Sequence, residues 1–112
     1  MILNRMTIIQ FAKEAAMEFQ REPGRIFNTD WDGRLMAEVT FQSIDDGQAW
    51  AVDHTFVDES LRGQGIAAQL IEAVVAAARK EGKTIEPLCS YAVHAFHNHP
   101  EYADVLRPVK DQ

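Results

Sequence analysis

The sequence predicts an α+β domain in which an antiparallel β-meander leads into a β-α-β unit, so that the central sheet is mixed. Two Asp-Gly pairs, Asp32-Gly33 and Asp46-Gly47, separate strand-like segments, and Asp-Gly is a strong signal for a hairpin turn. A long helical pattern begins near Ala67 and is followed by one more short strand. A strand, a helix and a strand in succession imply that the two strands are parallel neighbours.

The first half of the chain contains one expected helix and the meander. From Thr7 to Phe19 the apolar residues recur at helical spacing, so we expect an N-terminal helix within residues 1–20. The segment Arg-Glu-Pro-Gly at 21–24 is expected to break the chain. Strands are then expected at residues 25–29, 35–41 and 48–57.

Alternation in the third expected strand predicts which side chains share a face of the sheet. One face would carry Trp50, Val52, His54 and Phe56, and the other Ala51, Asp53, Thr55 and Val57. His54 is therefore expected among large apolar neighbours.

The second half is dominated by a helix expected over residues 67–81. Its apolar residues surround most of its circumference, so we expect it to be buried against the sheet. Gly82 is a natural stop for this helix. A short strand is expected at 83–89, a second helix at 90–98 and a tail, or a last short strand, at 102–109.

Length and composition limit the function. A chain of 112 residues is sufficient for one core, so we expect a single domain over 1–112. The net charge of -6 argues against a nucleic-acid partner, which usually meets a basic surface. A lone cysteine, Cys89, and the lack of a signal or membrane-spanning segment favour a cytoplasmic protein with no membrane partner. Monomer and homodimer both remain open.

A glycine-bearing turn at residues 61–67, Leu-Arg-Gly-Gln-Gly-Ile-Ala, joins the last meander strand to the long helix. The first N–H groups of a helix have no intrahelical partner, and glycines let a phosphate approach the backbone closely. The turn is therefore expected to bind a diphosphate, with an ordinary structural turn as the alternative. The pattern G-x-G-x-x-A with Glu86 would also suit a dinucleotide fold, but that fold needs several parallel strands, which an antiparallel meander does not provide. The turn is not a P-loop either, because it lacks Gly-Lys-Ser/Thr.

Arg62-x-x-Gly65-x-Ala67 resembles the acyl-CoA diphosphate motif, Gln/Arg-x-x-Gly-x-Gly/Ala, of the GNAT N-acetyltransferase superfamily. Three segments are similar to one branch of it, the minimal single-domain GNAT-like proteins: residues 54–67, 87–89 and 99–102. The resemblance covers roughly residues 24–106.

The resemblance implies a curved mixed sheet whose two central parallel strands splay apart to admit acyl-CoA, with helices on both faces. It implies that backbone groups of Phe56 and Val57 pair with the pantetheine arm. The N–H groups that would bind the diphosphate are those of Arg62, Gly63, Gln64, Gly65, Ile66 and Ala67. Acetyl-CoA would be the cosubstrate, and no metal is expected.

Cys89 is the candidate nucleophile, because it is expected at the end of a strand and just before a helix. Transfer of an acyl group from CoA to cysteine exchanges one thioester for another, and a helix start favours the reactive thiolate. His54 is the candidate base, acting on Cys89 or on an incoming amine. The alternatives are a small core residue for Cys89 and a hydrogen-bonded core histidine for His54.

Two further sets of side chains are weaker candidates. Tyr91, in the first turn of the second helix, lies where the superfamily can use a tyrosine to protonate the leaving CoA thiolate, and packing is the alternative. His94, His97 and His99, even with Cys89, have a spacing that fits no standard tetrahedral zinc site.

The sequence therefore predicts an acyl-CoA-dependent N-acyltransferase, most simply an acetyltransferase, that acts on a small-molecule or protein amine. The alternative is an acyl-CoA-binding or sensing module without turnover, because the short chain leaves little sequence for an acceptor site. An interaction domain without cofactor would leave Arg62 and the two glycines without a function.

Overall fold

The structure, a computed structural model, describes residues 17–108. The elements in this range are β1 (Gln20–Glu22), β2 (Arg25–Thr29), β3 (Leu35–Ile44), β4 (Ala49–Val57), α1 (Ile66–Glu81), β5 (Thr84–Pro87) and α2 (Ser90–Asn98). Short 3-10 helices lie at Asp45–Gly47, Glu59–Leu61 and Pro100–Val105. The helix expected over 7–19 falls outside the described residues except for residues 17–19, which have no regular structure.

The strands form one mixed sheet in the order β1-β2-β3-β4-β5. The first four pair antiparallel, and β5 pairs parallel to β4 after the crossover through α1. The predicted meander and β-α-β unit are thereby confirmed. The sequence-based expectation places helices on both faces of the sheet. In the structure, α1 and α2 both contribute buried residues to the apolar cluster that they share with the sheet. No helix within residues 17–108 is long and apolar enough to cross a bilayer.

Element boundaries differ from the sequence-based expectation by one or two residues at β4, α1 and β5, and by more at three other places. Arg21 and Glu22, expected in a break, belong to β1, and only Pro23 and Gly24 form the turn. This strand is short and fully exposed, so it has no alternation to detect. The strand expected to end at residue 41 continues to Ile44. In place of the expected tail or short strand, a 3-10 helix buries Tyr102, and Leu106 after it forms a single parallel bridge with Ile85.

A β-bulge in β4 changes the faces predicted for that strand. Thr40 lies opposite His54, but the next residue of β3, Phe41, lies opposite Val52. Asp53 is therefore an extra residue with no partner across the strands, and it shifts the alternation by one position.

Beyond the bulge, Thr55 and Val57 lie on the core side of the sheet, because they pair with the buried residues Val39 and Ala37. The side chains of His54 and Phe56 lie on the opposite face. The prediction that these two share a face with Trp50 and Val52 is therefore wrong, and the extra residue is the reason.

Candidate functional site

The parallel strands β4 and β5 separate where β5 ends, and in the described structure β5 is the last strand of the five-stranded sheet and not a central one as the resemblance implied. Their pairing runs from Ala49–Thr84 to Val52–Pro87, and β4 then continues for five residues without a partner on that side in the described structure. The N–H groups of Leu88 and Cys89 both donate to the carbonyl oxygen of Val52, at 2.9 and 3.1 Å. The chain thus leaves the sheet immediately after Pro87 and exposes the edge of the second half of β4.

The glycine turn presents a row of N–H groups at the start of α1. Gly63 and Gly65 have φ angles of +83° and +78°, a conformation that side-chain-bearing residues rarely adopt. Within the described residues, the N–H groups of Gly63 through Ala67 have no acceptor, and the first backbone bond into the helix runs from Gln69 to Gly65 at 3.1 Å. The N–H of Arg62, predicted to belong to this row, instead donates to the Glu59 carbonyl at 3.2 Å. The row therefore begins one residue later than predicted.

Nothing in the described structure neutralises the positive end of α1. Its first turn carries no acidic residue, whereas Arg79 and Lys80 lie in its last turn, where they suit the helix dipole. The guanidinium of Arg62 forms no ion pair with a described residue. The turn therefore combines unpaired amides and an unpaired cation, which is the chemistry of an anion site.

A cavity of about 230 Å³ lies directly against this turn. Its lining residues are Val57, Leu61, Arg62, Gly63, Gly65, Ile66, Ala67 and Tyr91. Gln64 and Phe56 are not among them. The volume is below the roughly 300 Å³ at which small-molecule pockets begin, so the cavity fits one part of a larger ligand.

Cys89 lies at the opening between the strands, as the N-cap of α2. Its sulfur accepts a hydrogen bond from the Ala92 N–H at 3.3 Å and lies 3.3 Å from the Thr55 hydroxyl oxygen. The side chain is only partly buried. Cys89 is thus held by the first turn of one helix and by the unpaired half of β4.

His54 does not pair with Cys89. It is exposed on the opposite face of the sheet, and the sulfur's polar contacts among the described residues are Thr55 and Ala92. Sequence reasoning missed Thr55 because it assumed unbroken alternation through Asp53. A polar residue in the middle of an apolar strand was the one available signal of a bulge.

The remaining candidates take separate positions. Tyr91 is 38% exposed and lines the cavity beside the glycine turn. The imidazole of His94 contacts the Asn98 amide at 2.8 Å, and that of His99 contacts the Glu101 carboxylate at 2.9 Å. Between Met17 and Pro108, no three His, Cys, Asp or Glu side chains form a group that could hold a metal ion.

Comparison with known proteins gives a consistent result. The family model described as GCN5-related N-acetyl-transferase matches residues 26–105. The solution structure of a GCN5-like proposed N-acetyltransferase from Staphylococcus aureus is similar, with 29% identity, a TM-score of 0.67, and coverage of 85% of this chain and 92% of that one. A ribosomal-protein-alanine N-acetyltransferase from Brucella melitensis biovar Abortus 2308 is similar in fold at 22% identity and a TM-score of 0.50, covering 79% of this chain and 65% of that one. No sequence among curated proteins matches significantly.

Proposed function

We propose that this chain, which belongs to the GCN5-related N-acetyltransferase family, transfers an acetyl group from acetyl-CoA to a primary amine. Acyl-CoA-dependent N-acyl transfer is the activity of the family. The acetyl donor, the roles of individual residues and the cytoplasmic location, which the lone free cysteine Cys89 favours, are our proposals.

One observation carries the proposal for the donor: within the described residues, five consecutive N–H groups, Gly63 to Ala67, have no acceptor at the positive end of α1, and four of these residues line the cavity. A diphosphate there would accept hydrogen bonds from these amides and an ion pair from Arg62. Because the cavity fits only part of a CoA molecule, the pantetheine arm must extend beyond it.

The unpaired edge of β4 gives that arm a path. Val57 lines the cavity, and Thr55, two residues earlier on the same face, contacts the sulfur of Cys89. Two residues of a strand span about 7 Å, so a ligand along this edge leads from the diphosphate site to Cys89. We propose that backbone groups of Phe56 and Val57 pair with the amides of the arm.

Cys89 is proposed to carry the acyl group transiently. Its thiolate attacks the thioester carbonyl of acetyl-CoA, the bond from the carbonyl carbon to the CoA sulfur breaks, and CoA leaves as a thiolate that takes up a proton. The amine then attacks the acetyl-cysteine, loses a proton, and releases Cys89. The contacts from Thr55 and Ala92 fix the position of the sulfur.

His54 is proposed to act on the acceptor and not on Cys89. It lies two residues beyond the last β4–β5 pair and is exposed on the face away from the cysteine contact. An amine would lose its proton to the imidazole on this face and would then pass the unpaired edge of β4 to reach the acetyl-cysteine. The acidic chain, with a net charge of -6, favours a cationic acceptor, either a small molecule or a protein amine.

Intact-protein mass spectrometry after acid quench tests the covalent route. Incubation with acetyl-CoA without acceptor is expected to add one acetyl group to the wild type and none to Cys89→Ala. Amine transfer without any adduct would establish direct attack on acetyl-CoA instead. Thermal unfolding tests the donor site itself, because a ligand at about 100 times its dissociation constant adds about 2.7 kcal/mol of stability. Binding of acetyl-CoA with no transfer to a broad amine panel would instead identify a binding or sensing module.

A further inference from the structure

Asp58 is the one charged residue that is buried within the described part of the chain, at 7% exposure. One carboxylate oxygen accepts hydrogen bonds from the N–H of Ser60 at 3.0 Å and from its hydroxyl at 2.6 Å. The other oxygen accepts from the guanidinium of Arg34 at 2.6 Å. The Ser60 contacts, followed by Arg34, hold the pKa of Asp58 below its usual value.

The position of Asp58 connects this network to the diphosphate turn. Its N–H donates to the Met36 carbonyl at 2.7 Å, which anchors the end of β4 to β3. Its carbonyl accepts from the N–H of Leu61 at 2.9 Å and so begins the short 3-10 helix Glu59–Leu61. That helix turns the chain from the strand into the glycine turn. The contacts of Asp58 therefore fix the direction from which the turn starts.

Arg34 adds a link to a second part of the fold. It closes the β2–β3 turn, where its N–H and that of Asp32 both donate to the Asp30 carboxylate at 2.9 Å. The ion pair with Asp58 joins this hydrogen-bonded turn to the residues that precede the free amides. Loss of the pair would leave the start of the glycine turn held from one side only.

We propose that Asp58 is a positioning residue for acyl-CoA, which acts through Arg34 and Ser60 to aim the Gly63–Ala67 amides at the diphosphate. This inference rests on the proposed function. It predicts a specific effect, because only the part of the donor that carries the diphosphate meets these amides. A misplacement of about 1 Å in a binding group can cost about 100-fold, so a modest shift of the turn is measurable.

The test compares two donors, acetyl-CoA and S-acetylpantetheine, which lacks the diphosphate and nucleotide. In Arg34→Gln and Asp58→Asn, we expect KM for acetyl-CoA to rise about tenfold while kcat stays within about twofold. The efficiency with S-acetylpantetheine is expected to stay at the wild-type value. In Asp58→Asn, the side-chain NH2 group would face either the donors of Ser60 or the guanidinium of Arg34, so one of these contacts is lost in either orientation of the amide.

The matched control is Arg79→Gln. Arg79 forms a two-fold contact with Asp104, with both distances 2.8 Å, at the far end of α1. This variant should lose an ion pair and leave KM for both donors unchanged. Ser60→Ala provides a second variant if Asp58→Asn fails to fold.

Three results would overturn the inference. An equal loss with both donors would indicate general damage, and an equal KM for acetyl-CoA in wild type and Arg34→Gln would show that the turn needs no such support. Calorimetry with CoA distinguishes failure of the proposed function from failure of the positioning role. If the wild type binds no CoA, the proposed function is refuted. If the wild type and Arg34→Gln bind CoA equally well, only the positioning role is refuted.

Discussion

The two halves of β4 differ in their strand pairing and in their burial. Residues 49–52 pair with strands on both sides and are all buried, whereas residues 54–57 pair with β3 alone, and residues 53–57 are partly or fully exposed. The bulge at Asp53 lies at the boundary. One strand therefore supplies the core with its first half and the proposed donor path with its second.

The comparison explains how so short a chain forms a site. The first half fixes the position of β5 and hence of Cys89, whose N–H donates to the carbonyl of Val52. The second half keeps its backbone groups on one side available. Because the change occurs within a single strand, the same element positions Cys89 and leaves an unpaired edge next to the glycine turn.

The largest expected effect separates the two halves by stability. Trp50, 5% exposed, packs on Phe41 at a ring distance of 4.5 Å, and Trp50→Ala should cost about 3–5 kcal/mol of the free energy of unfolding. Phe56 lies in the open half, and Phe56→Ala should cost about 1 kcal/mol or less, since partly exposed positions change stability little. Urea unfolding of both variants measures the difference, and equal losses would contradict the division of β4.

A second prediction concerns the hydroxyl beside the sulfur. Thr55→Val keeps the shape of the side chain and removes the contact to Cys89, so we expect acetyl transfer to Cys89 to slow about 10- to 100-fold. Rapid-quench mass spectrometry measures this rate directly.

Thr40→Val is the control for that variant. Thr40 lies one strand away on the opposite face, where its hydroxyl donates to Asp53 at 2.7 Å. It should react at the wild-type rate. If both variants slow alike, strand packing and not the hydroxyl of Thr55 would be the cause.

The same boundary marks what the sequence could and could not predict. The glycine turn, α1, α2 and the parallel pairing of β5 follow from local signals, namely positive-φ glycines, helical spacing and the crossover rule. The orientation of residues 54–57 does not follow from local signals, because it depends on one inserted residue, Asp53, whose place in the strand only the pairing with β3 defines. For this reason His54 was predicted beside Cys89, and Thr55 was missed.

Asp58 was missed for a related reason. In the sequence it belongs to a polar loop, Asp-Glu-Ser, and such loops are usually solvated. In the structure it is buried, and it pairs with Arg34, which is 24 residues away along the chain. No local pattern predicts a contact of that separation.

A third prediction compares two glycines with nearly the same backbone. Gly65 and Gly82, at either end of α1, have φ angles of +78° and +70°, and an added Cβ would meet no atom within 4 Å at either position. Alanine at each should therefore cost about 1–2 kcal/mol of stability. Only Gly65 lines the cavity, so Gly65→Ala alone should also weaken acetyl-CoA binding, by roughly tenfold in calorimetry. Equal affinity in the two variants would place the donor elsewhere.

The smallest expected effect is a pH dependence at the end of the open half of β4. The pKa of Asp58 is lowered from 3.8, chiefly by the hydroxyl and N–H of Ser60 and then by Arg34. A lowered pKa stabilises the folded state above the unfolded value, and that stabilisation is lost as the pH falls through the folded one. The difference in unfolding free energy between wild type and Asp58→Asn should thus be constant from about pH 6 to about pH 5 and shrink below about pH 4.

Urea unfolding across that range measures this difference, with Asp104→Asn as the comparison. The pKa of Asp104 is also lowered, by its hydrogen bonds to Arg79. The difference in unfolding free energy between wild type and Asp104→Asn should therefore also shrink as the pH falls. The two differ in their consequence for binding, because only Asp58 supports the turn before the free amides. If the difference in unfolding free energy shrinks with acid in both variants but acetyl-CoA binding weakens in Asp58→Asn alone, the electrostatic stabilisation of the fold is distinct from the positioning of the diphosphate turn. A difference that stays constant down to about pH 3 would mean that the buried carboxylate stabilises the end of β4 by shape and not by charge.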